Sequence, residues 1–173
     1  MITGEHRDTD AQVRQQTSGL TVAITLAVIL LDQLSKWFIV ERVMQPPRVI
    51  PLLPFLNLVL VFNRGISFGM LRGEESWAPW GLSALALAVV IWLFIWQRRA
   101  ANRWISIAVG LIAGGALGNV VDRLFQQAVT DFIDFHWGEY HFPAFNLADS
   151  AINVGVAVLL AEALFSRRES RKT

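Results

Sequence analysis

The chain has 173 residues, with 15 lysines and arginines against 14 acids and a net charge of +1. Only 17% of residues are charged, 54% are hydrophobic and the mean hydropathy is +0.44. A soluble domain carries about 25% charged residues, so the composition points to a membrane protein. There is no cysteine, which excludes disulfides, thiolate metal sites and a cysteine nucleophile, and nothing in the charge balance suggests a nucleic-acid partner.

In chain order, residues 1–19 read as a polar, flexible tail. Residues 20–165 read as a membrane-embedded domain, and residues 166–173 as a basic C-terminal tail. Four stretches approach the ~20 apolar residues that cross a bilayer: Leu20–Val40, Trp77–Trp96, Trp104–Phe125 and Leu147–Phe165. The first does not read as a cleaved signal peptide. Its leader mixes Arg7 and Arg14 with acids, and Trp37, Phe38 and Glu41 follow it where small residues would stand.

Between the first two spans lie Pro46, Pro47, Pro51 and Pro54, then the run Leu56–Phe62. That run is short, apolar and bounded by turn signals, so a strand is expected. Asn63-Arg64-Gly65 supplies a turn and Ile66–Met70 a returning strand, giving a small β element on the outer face. After the third span, Trp137, Tyr140, Phe142 and Phe145 suit the headgroup level. Within the third span Gly110, Gly114 and Gly118 recur every fourth residue, with Gly115 beside them. Small residues at that spacing let helices approach, and packing is their expected role.

Orientation follows from basic residues near the spans. Arg7, Arg14, Arg98, Arg99, Arg103, Arg167, Arg168, Arg171 and Lys172 fall in the two tails and the link between spans two and three. With an even number of spans these share one side, so both termini are expected in the cytoplasm. Trp37, Trp77 and Trp80 then belong to the outer interface, and Trp92, Trp96 and Trp104 to the inner one.

The same topology gathers ionisable residues toward the outer end. Asp32 and Lys36 share a face of span one. Asn119, Asp122 and Arg123 end span three, Asp131 follows, and Asp149 opens span four. Charges inside a bilayer cost ~3 kcal/mol or more and commonly mark working sites. Asp32 with Lys36 reads as a salt bridge and Asp122-Arg123 as a structural pair, while Glu41, Asp134 and Glu139 read as interfacial and wetted. Asp131 and Asp149 have no adjacent basic partner. Two carboxyls brought together share a proton, which gives the acid and the base that peptide hydrolysis by water needs.

Other chemistry fits less well. His136 and His141 lack the spacing of a zinc-protease helix, and no nucleophile elbow is present. Ser35 and Lys36, as helix neighbours, point about 100° apart. A transporter would also place acids and a lysine in helices, but it prefers mid-membrane sites and internal repeats. A lipid-binding assembly factor would use the glycine face and the aromatics without needing paired acids.

At these residues the chain resembles the bacterial lipoprotein signal peptidases, signal peptidase II. Asp32-Gln33-Leu34-Ser35-Lys36 resembles the family's D-Q-x-S-K motif, and Asn63-Arg64-Gly65-Ile66-Ser67-Phe68 its N-x-G-x-A-F motif. Gly114 to Arg123 resembles G-G-A-x-G-N-x-x-D-R, Val129-Thr130-Asp131-Phe132 V-x-D-F, and Phe145 to Ser150 F-N-x-A-D-S. Ser67 stands where the family usually has alanine.

The resemblance implies an all-α integral membrane protein of four transmembrane helices, with a small β cradle in the first periplasmic loop. It implies an aspartyl endopeptidase of the inner membrane, its site near the periplasmic face, that cuts lipid-modified prolipoproteins before the diacylglyceryl-cysteine. The catalytic residues carried over are Asp131 and Asp149. Asp32, Lys36, Asn63, Gly65, Asn119, Asp122, Arg123 and Asn146 are expected to bind substrate or support the acids. No metal or cofactor is implied; the expected partners are the prolipoprotein and membrane lipids, with the protein a monomer. An ion- or proton-coupled small transporter is the alternative.

Overall fold

The structure is a computed structural model and describes residues 3–65, 77–98 and 102–169. Helix α1 runs from Thr3 to Phe38 and passes into five residues of π-helix, Ile39–Val43. Two strands follow, β1 (Ile50–Leu53) and β2 (Leu56–Asn63). Then come α2 (Ala78–Gln97), α3 (Arg103–Gln126), β3 (Val129–Trp137), β4 (Tyr140–His141) and α4 (Leu147–Glu169).

Among the described residues, four helices are long and apolar enough to cross a membrane: Gln16–Val43, Ala78–Gln97, Arg103–Gln126 and Leu147–Ser166. Each overlaps an expected span to within a few residues at either end. The backbone is already helical from Thr3, so the segment assigned to a tail continues the first span as a helix. The six tryptophans assigned to the two interfaces are all exposed on the bundle surface, where lipid would meet them.

α3 is the central helix and contacts α1, α2 and α4. Its glycines explain why it can. A Cβ on Gly110 would meet Ile24 and the Thr21 carbonyl at 2.8–3.0 Å, and one on Gly114 would meet Val28 and the Thr25 carbonyl at 2.6–2.9 Å. A Cβ on Gly115 would strike the Ala148 carbonyl of α4. Backbone thus lies against neighbouring helices along most of α3, as small-residue packing in membranes predicts. Away from the sheet, Leu93, Val109 and Ile112 form an apolar core with Ile105 and Leu159.

The ends of α3 are capped locally. Asn102 accepts from Trp104 N at 2.8 Å, satisfying one orphan N–H of the first turn. Gln127 takes a left-handed conformation (φ 56°) and donates its N–H to the Arg123 carbonyl at 3.1 Å. That stop turns the chain directly into β3.

The four strands form an antiparallel sheet in the order β1-β2-β3-β4. The sheet is therefore shared between the two loops at this end of the bundle, not confined to the first, and β3 supplies its longest strand. The expected strand Leu56–Phe62 is present as β2. The expected return strand Ile66–Met70, and Ser67 with it, lie outside the described residues. Between Leu58 and Val61 the β2–β3 register shifts, opposite Asp131 and Ile133. Such bulges bend a strand and re-aim its side chains. Phe132, Ile39 and Met44 form the core that seats the sheet on the end of α1.

Candidate active site

The start of α4 is built from acids. Asn146 Oδ1 accepts from Asp149 N at 3.0 Å, and Asp149 Oδ2 accepts from Asn146 N at 3.2 Å. This is a reciprocal capping box, in which residue one and residue four of the turn each satisfy the other's backbone donor. Asp32, reaching over from α1, accepts from Ala148 N at 3.0 Å. Three backbone donors at or before the first turn of α4 are thereby satisfied, and negative charge sits where the helix dipole favours it. Gly118 makes room for this, since a Cβ there would lie 2.7 Å from Asp32 Oδ2.

Lys36 is the cation at the centre of the layer beneath. Its Nζ lies 2.7 Å from Asp32 Oδ2 and 2.9 Å from Asp122 Oδ2, and it donates to Asn119 Oδ1 at 3.1 Å. All three charged groups are at most 5% exposed. Gln33 adds donors to Asp122 Oδ1 at 2.9 Å, to Asp32 Oδ2 at 3.2 Å and to the Gly118 carbonyl at 3.2 Å. The Asp32–Lys36 bridge matches expectation. The Asp122–Arg123 pair does not form: Asp122 is paired with Lys36 from another helix. Arg123 Nη1 instead donates to the Asn119 carbonyl at 3.3 Å. Its charge faces Asp149, Asp122 and Asp131, and its Nε is buried without a hydrogen-bond partner among the described residues. Neighbours on a helix point about 100° apart, so the direct bonds of 122 and 123 go to different partners, although the Arg123 charge stays near Asp122.

Asp131 arrives from β3. Its Oδ2 accepts from Asn63 Nδ2 at 3.0 Å and its Oδ1 from Asn146 Nδ2 at 2.7 Å. Asn63 Oδ1 in turn accepts from Gly65 N at 2.8 Å. Gly65 has φ +81°, a left-handed backbone suited to glycine. Asp149 Oδ1 accepts from Asn119 Nδ2 at 2.8 Å. Asn146 is the hinge of the arrangement, since its side chain holds Asp131 while its backbone N–H holds Asp149. One connected hydrogen-bond network therefore joins Asp32, Lys36, Asn63, Gly65, Asn119, Asp122, Arg123, Asp131, Asn146 and Asp149.

Asp131 is 2% exposed, while Asp149 is half-buried. Burial, and after it the charge of Asp149, push Asp131 up from 3.8 to about 6 against the bonds from Asn63 and Asn146. This is the behaviour of a carboxyl facing a second carboxyl in a partly dry site. A cavity of about 330 Å³ opens between α1 and α3, behind Lys36 and Asp122, and reaches Thr130; neither Asp131 nor Asp149 lines it. Ser35 donates to the Asp32 carbonyl at 2.7 Å, a back-bond within its own helix. Among the described residues no group of three or more histidines and acids is placed to hold a metal ion.

Three features of the site escape sequence reasoning. Gln33 falls within a motif that gives it no role of its own, yet it joins Asp32 to Asp122. The Thr130 backbone N donates to Asp122 Oδ2 at 3.0 Å, fixing the residue before Asp131. Asp134 is not wetted as expected: it is 5% exposed and accepts from Asn57 Nδ2 at 3.0 Å. Glu41 and Glu139 are exposed, as expected.

The family model for signal peptidase (SPase) II matches residues 24–165. The chain is 46% identical over 151 residues to the lipoprotein signal peptidase of Burkholderia cenocepacia, covering 87% of this chain and 90% of that one. The lipoprotein signal peptidases of Burkholderia vietnamiensis and Burkholderia multivorans match with the same identity and coverage. A bacterial membrane enzyme solved by the in meso method at 2.3 Å resolution superposes with a TM-score of 0.73 at 30% identity, covering 90% of this chain and 92% of that one. A second, at 1.9 Å, gives the same TM-score and identity over 84% and 93%. The transporter alternative finds no support among these relatives. With a matching family model over most of its length and relatives at this identity, the chain belongs to the signal peptidase II family.

Proposed function

We propose that the protein is an intramembrane aspartyl endopeptidase that removes the signal peptide from diacylglyceryl-modified prolipoproteins, cutting just before the lipidated cysteine. The observation that carries this reading is the tethering of Asp131 and Asp149 to the two ends of one residue, Asn146. Asp131, the more buried acid, carries the shared proton and polarises the scissile carbonyl. Asp149, better reached by water, takes the proton of the attacking water. As the tetrahedral intermediate collapses, the leaving amine receives that proton and the pair returns to its starting state. No covalent intermediate is formed.

The remaining network positions the acids. Lys36, Asp32 and Asp122 hold the starts of α4 and β3, and Asn63, Asn119 and Arg123 face the space where substrate backbone would lie. The signal helix enters between the spans, and the lipid tails of the substrate stay among them. Basic residues in the tails and the α2–α3 link support cytoplasmic termini and a periplasmic site in the bacterial inner membrane. One chain supplies every residue in the network, so the reading needs no second protomer.

The test uses purified protein in detergent with a lipid-modified prolipoprotein, its unmodified form, and chelator. The lipid-modified substrate is expected to be cut at the bond before the cysteine, equally with chelator present, and the unmodified one at least about 10²-fold more slowly. Loss of cleavage in chelator, restored by added metal, would overturn the aspartyl mechanism.

A further inference from the structure

Asp134 is a buried acid that the proposed reaction leaves unused. It stands three residues beyond Asp131 on β3. Its Oδ2 accepts from Asn57 Nδ2 of β2 at 3.0 Å, and both its oxygens lie 2.9 Å from His141 Nδ1 of β4. Burial raises its pKa, but the bonds from Asn57 and His141 outweigh burial and hold it below the ordinary value. A carboxylate removed from water needs such partners, and here they come from the strands on either side. His141 also stacks on His136, with ring centroids 5.0 Å apart and 19° between planes. Asp134 thus clamps β2, β3 and β4 together at one point.

Beside that clamp is a groove of about 400 Å³, lined by Phe55, Phe135, His136, Trp137, Tyr140 and Phe142. Its aromatic floor is continuous: Phe55 stacks on Phe135 at 6.3 Å, Phe135 on Phe145 at 5.7 Å, and Phe142 meets Phe145 edge-on at 6.2 Å. Trp137 and Tyr140 are each 86% exposed. His136 Nδ1, in the same wall, is buried and without a hydrogen-bond partner among the described residues. With the exposed Tyr140 and the half-buried His136 ring in its lining, the groove offers polar groups as well as aromatic surface, which suits an extended peptide with its backbone amides better than an acyl chain.

The groove and the candidate site share strand β3, which carries Asp131 near its start and Phe135 and Trp137 at its end. Side chains alternate along a strand, so Phe135 lies on the same side of β3 as Asp131, at a rise of ~3.3 Å per residue and hence about 13 Å away. Trp137 is about 20 Å away by the same rise. A substrate chain leaving the acids extended along β3 would reach the groove about four to six residues past the cut.

We propose that this groove is a subsite for the mature segment of the substrate, taking an apolar or aromatic side chain about four to six residues beyond the lipidated cysteine, and that Asp134 holds it preformed. The assignment rests on the peptidase reading above. Preformation matters because a binding surface ordered in advance loses less entropy on binding.

The experiment compares two lipid-modified prolipoprotein peptides. One ends two residues after the cysteine; the other continues for eight, with a phenylalanine at the fifth. The wild-type protein is expected to show kcat/KM about tenfold higher for the long peptide. Tyr140→Ala and Phe135→Ala are expected to bring the long-to-short ratio near one, and Asp134→Ala to do the same through the clamp. Tyr140 is so exposed that its loss leaves the fold intact. A ratio unchanged in Tyr140→Ala and Phe135→Ala would overturn the subsite. That includes the case where both peptides slow alike, the result expected if these aromatics only seat the sheet on lipid. Failure of the wild-type protein to cut either peptide would instead refute the peptidase reading itself.

Discussion

The turns of α3 from Ser106 to Gly114 and those from Gly118 to Arg123 meet the same neighbouring helix, α1, but they are held to it differently. In the first stretch Thr21 and Thr25 donate to the Ser106 and Gly110 carbonyls at 3.2 and 3.4 Å, and glycine backbone lies against Ile24 and Val28. In the second, Lys36 binds Asp122 and Asn119, Gln33 binds Asp122, and Asn119 reaches on to Asp149. Close packing holds a position by shape and loses little when a hydroxyl is removed. A buried ionic network holds its members by mutual need, and loss of one partner leaves the others uncompensated. The cost of the second arrangement is sensible only where the charges orient something, and what they orient here is Asp131 and Asp149.

Breaking the ionic half should therefore do the most damage. Lys36→Met leaves Asp32 and Asp122 buried without a cation and should destabilise by about 3–5 kcal/mol, read as a large drop in thermal midpoint in detergent. Gly115→Ala drives a Cβ into the Ala148 carbonyl and should cost about 1–3 kcal/mol by overpacking. Because it displaces the start of α4, it should also slow cleavage. Thr25→Val in the packed half removes one interhelical hydrogen bond and should cost only about 0.6 kcal/mol, with cleavage unaffected.

The pH dependence sharpens the same contrast. Asp131 is raised to about 6 in the folded protein, so kcat/KM should fall as pH rises through about 6 and the shared proton is lost. Asn63 donates to Asp131 and lowers that value, so Asn63→Ala should move the falling limb to higher pH. The sign for stability is the same. The folded value lies above the ordinary 3.8, so Asp131 costs no stability below about pH 3.8, and stability declines as pH rises from there through about 6. Asp131→Asn should flatten that decline, while Thr25→Val should leave it unchanged.

The four spans are legible in the sequence because length and hydropathy in a bilayer admit few alternatives, and β2 because its apolar run is bounded by turn residues. β3 is hidden for a physical reason. Its first four residues, Val129, Thr130, Asp131 and Phe132, are all buried. Both sides of the strand are covered there, so no simple alternation marks it. β1 carries Pro51 and lies at the sheet edge, where proline is tolerated but conceals the strand. Within the site, local contacts such as Asp32–Lys36 follow from helix geometry. The Lys36–Asp122 bridge and the Asp134–Asn57–His141 cluster join residues from separate elements, and only the folded chain brings them together. Asp134 reads as wetted in the sequence because its partners lie on other strands.

The central claim is that Asp131 and Asp149 act as one unit on a water molecule. The most direct measurement is single-turnover cleavage of a lipid-modified prolipoprotein by Asp131→Asn, Asp149→Asn and the double variant, each checked for folding by its thermal midpoint. Each single variant is expected to lose at least about 10³-fold in rate, and the double variant little more, because half of a pair does none of its work. A folded single variant that keeps near-wild-type turnover would contradict the account.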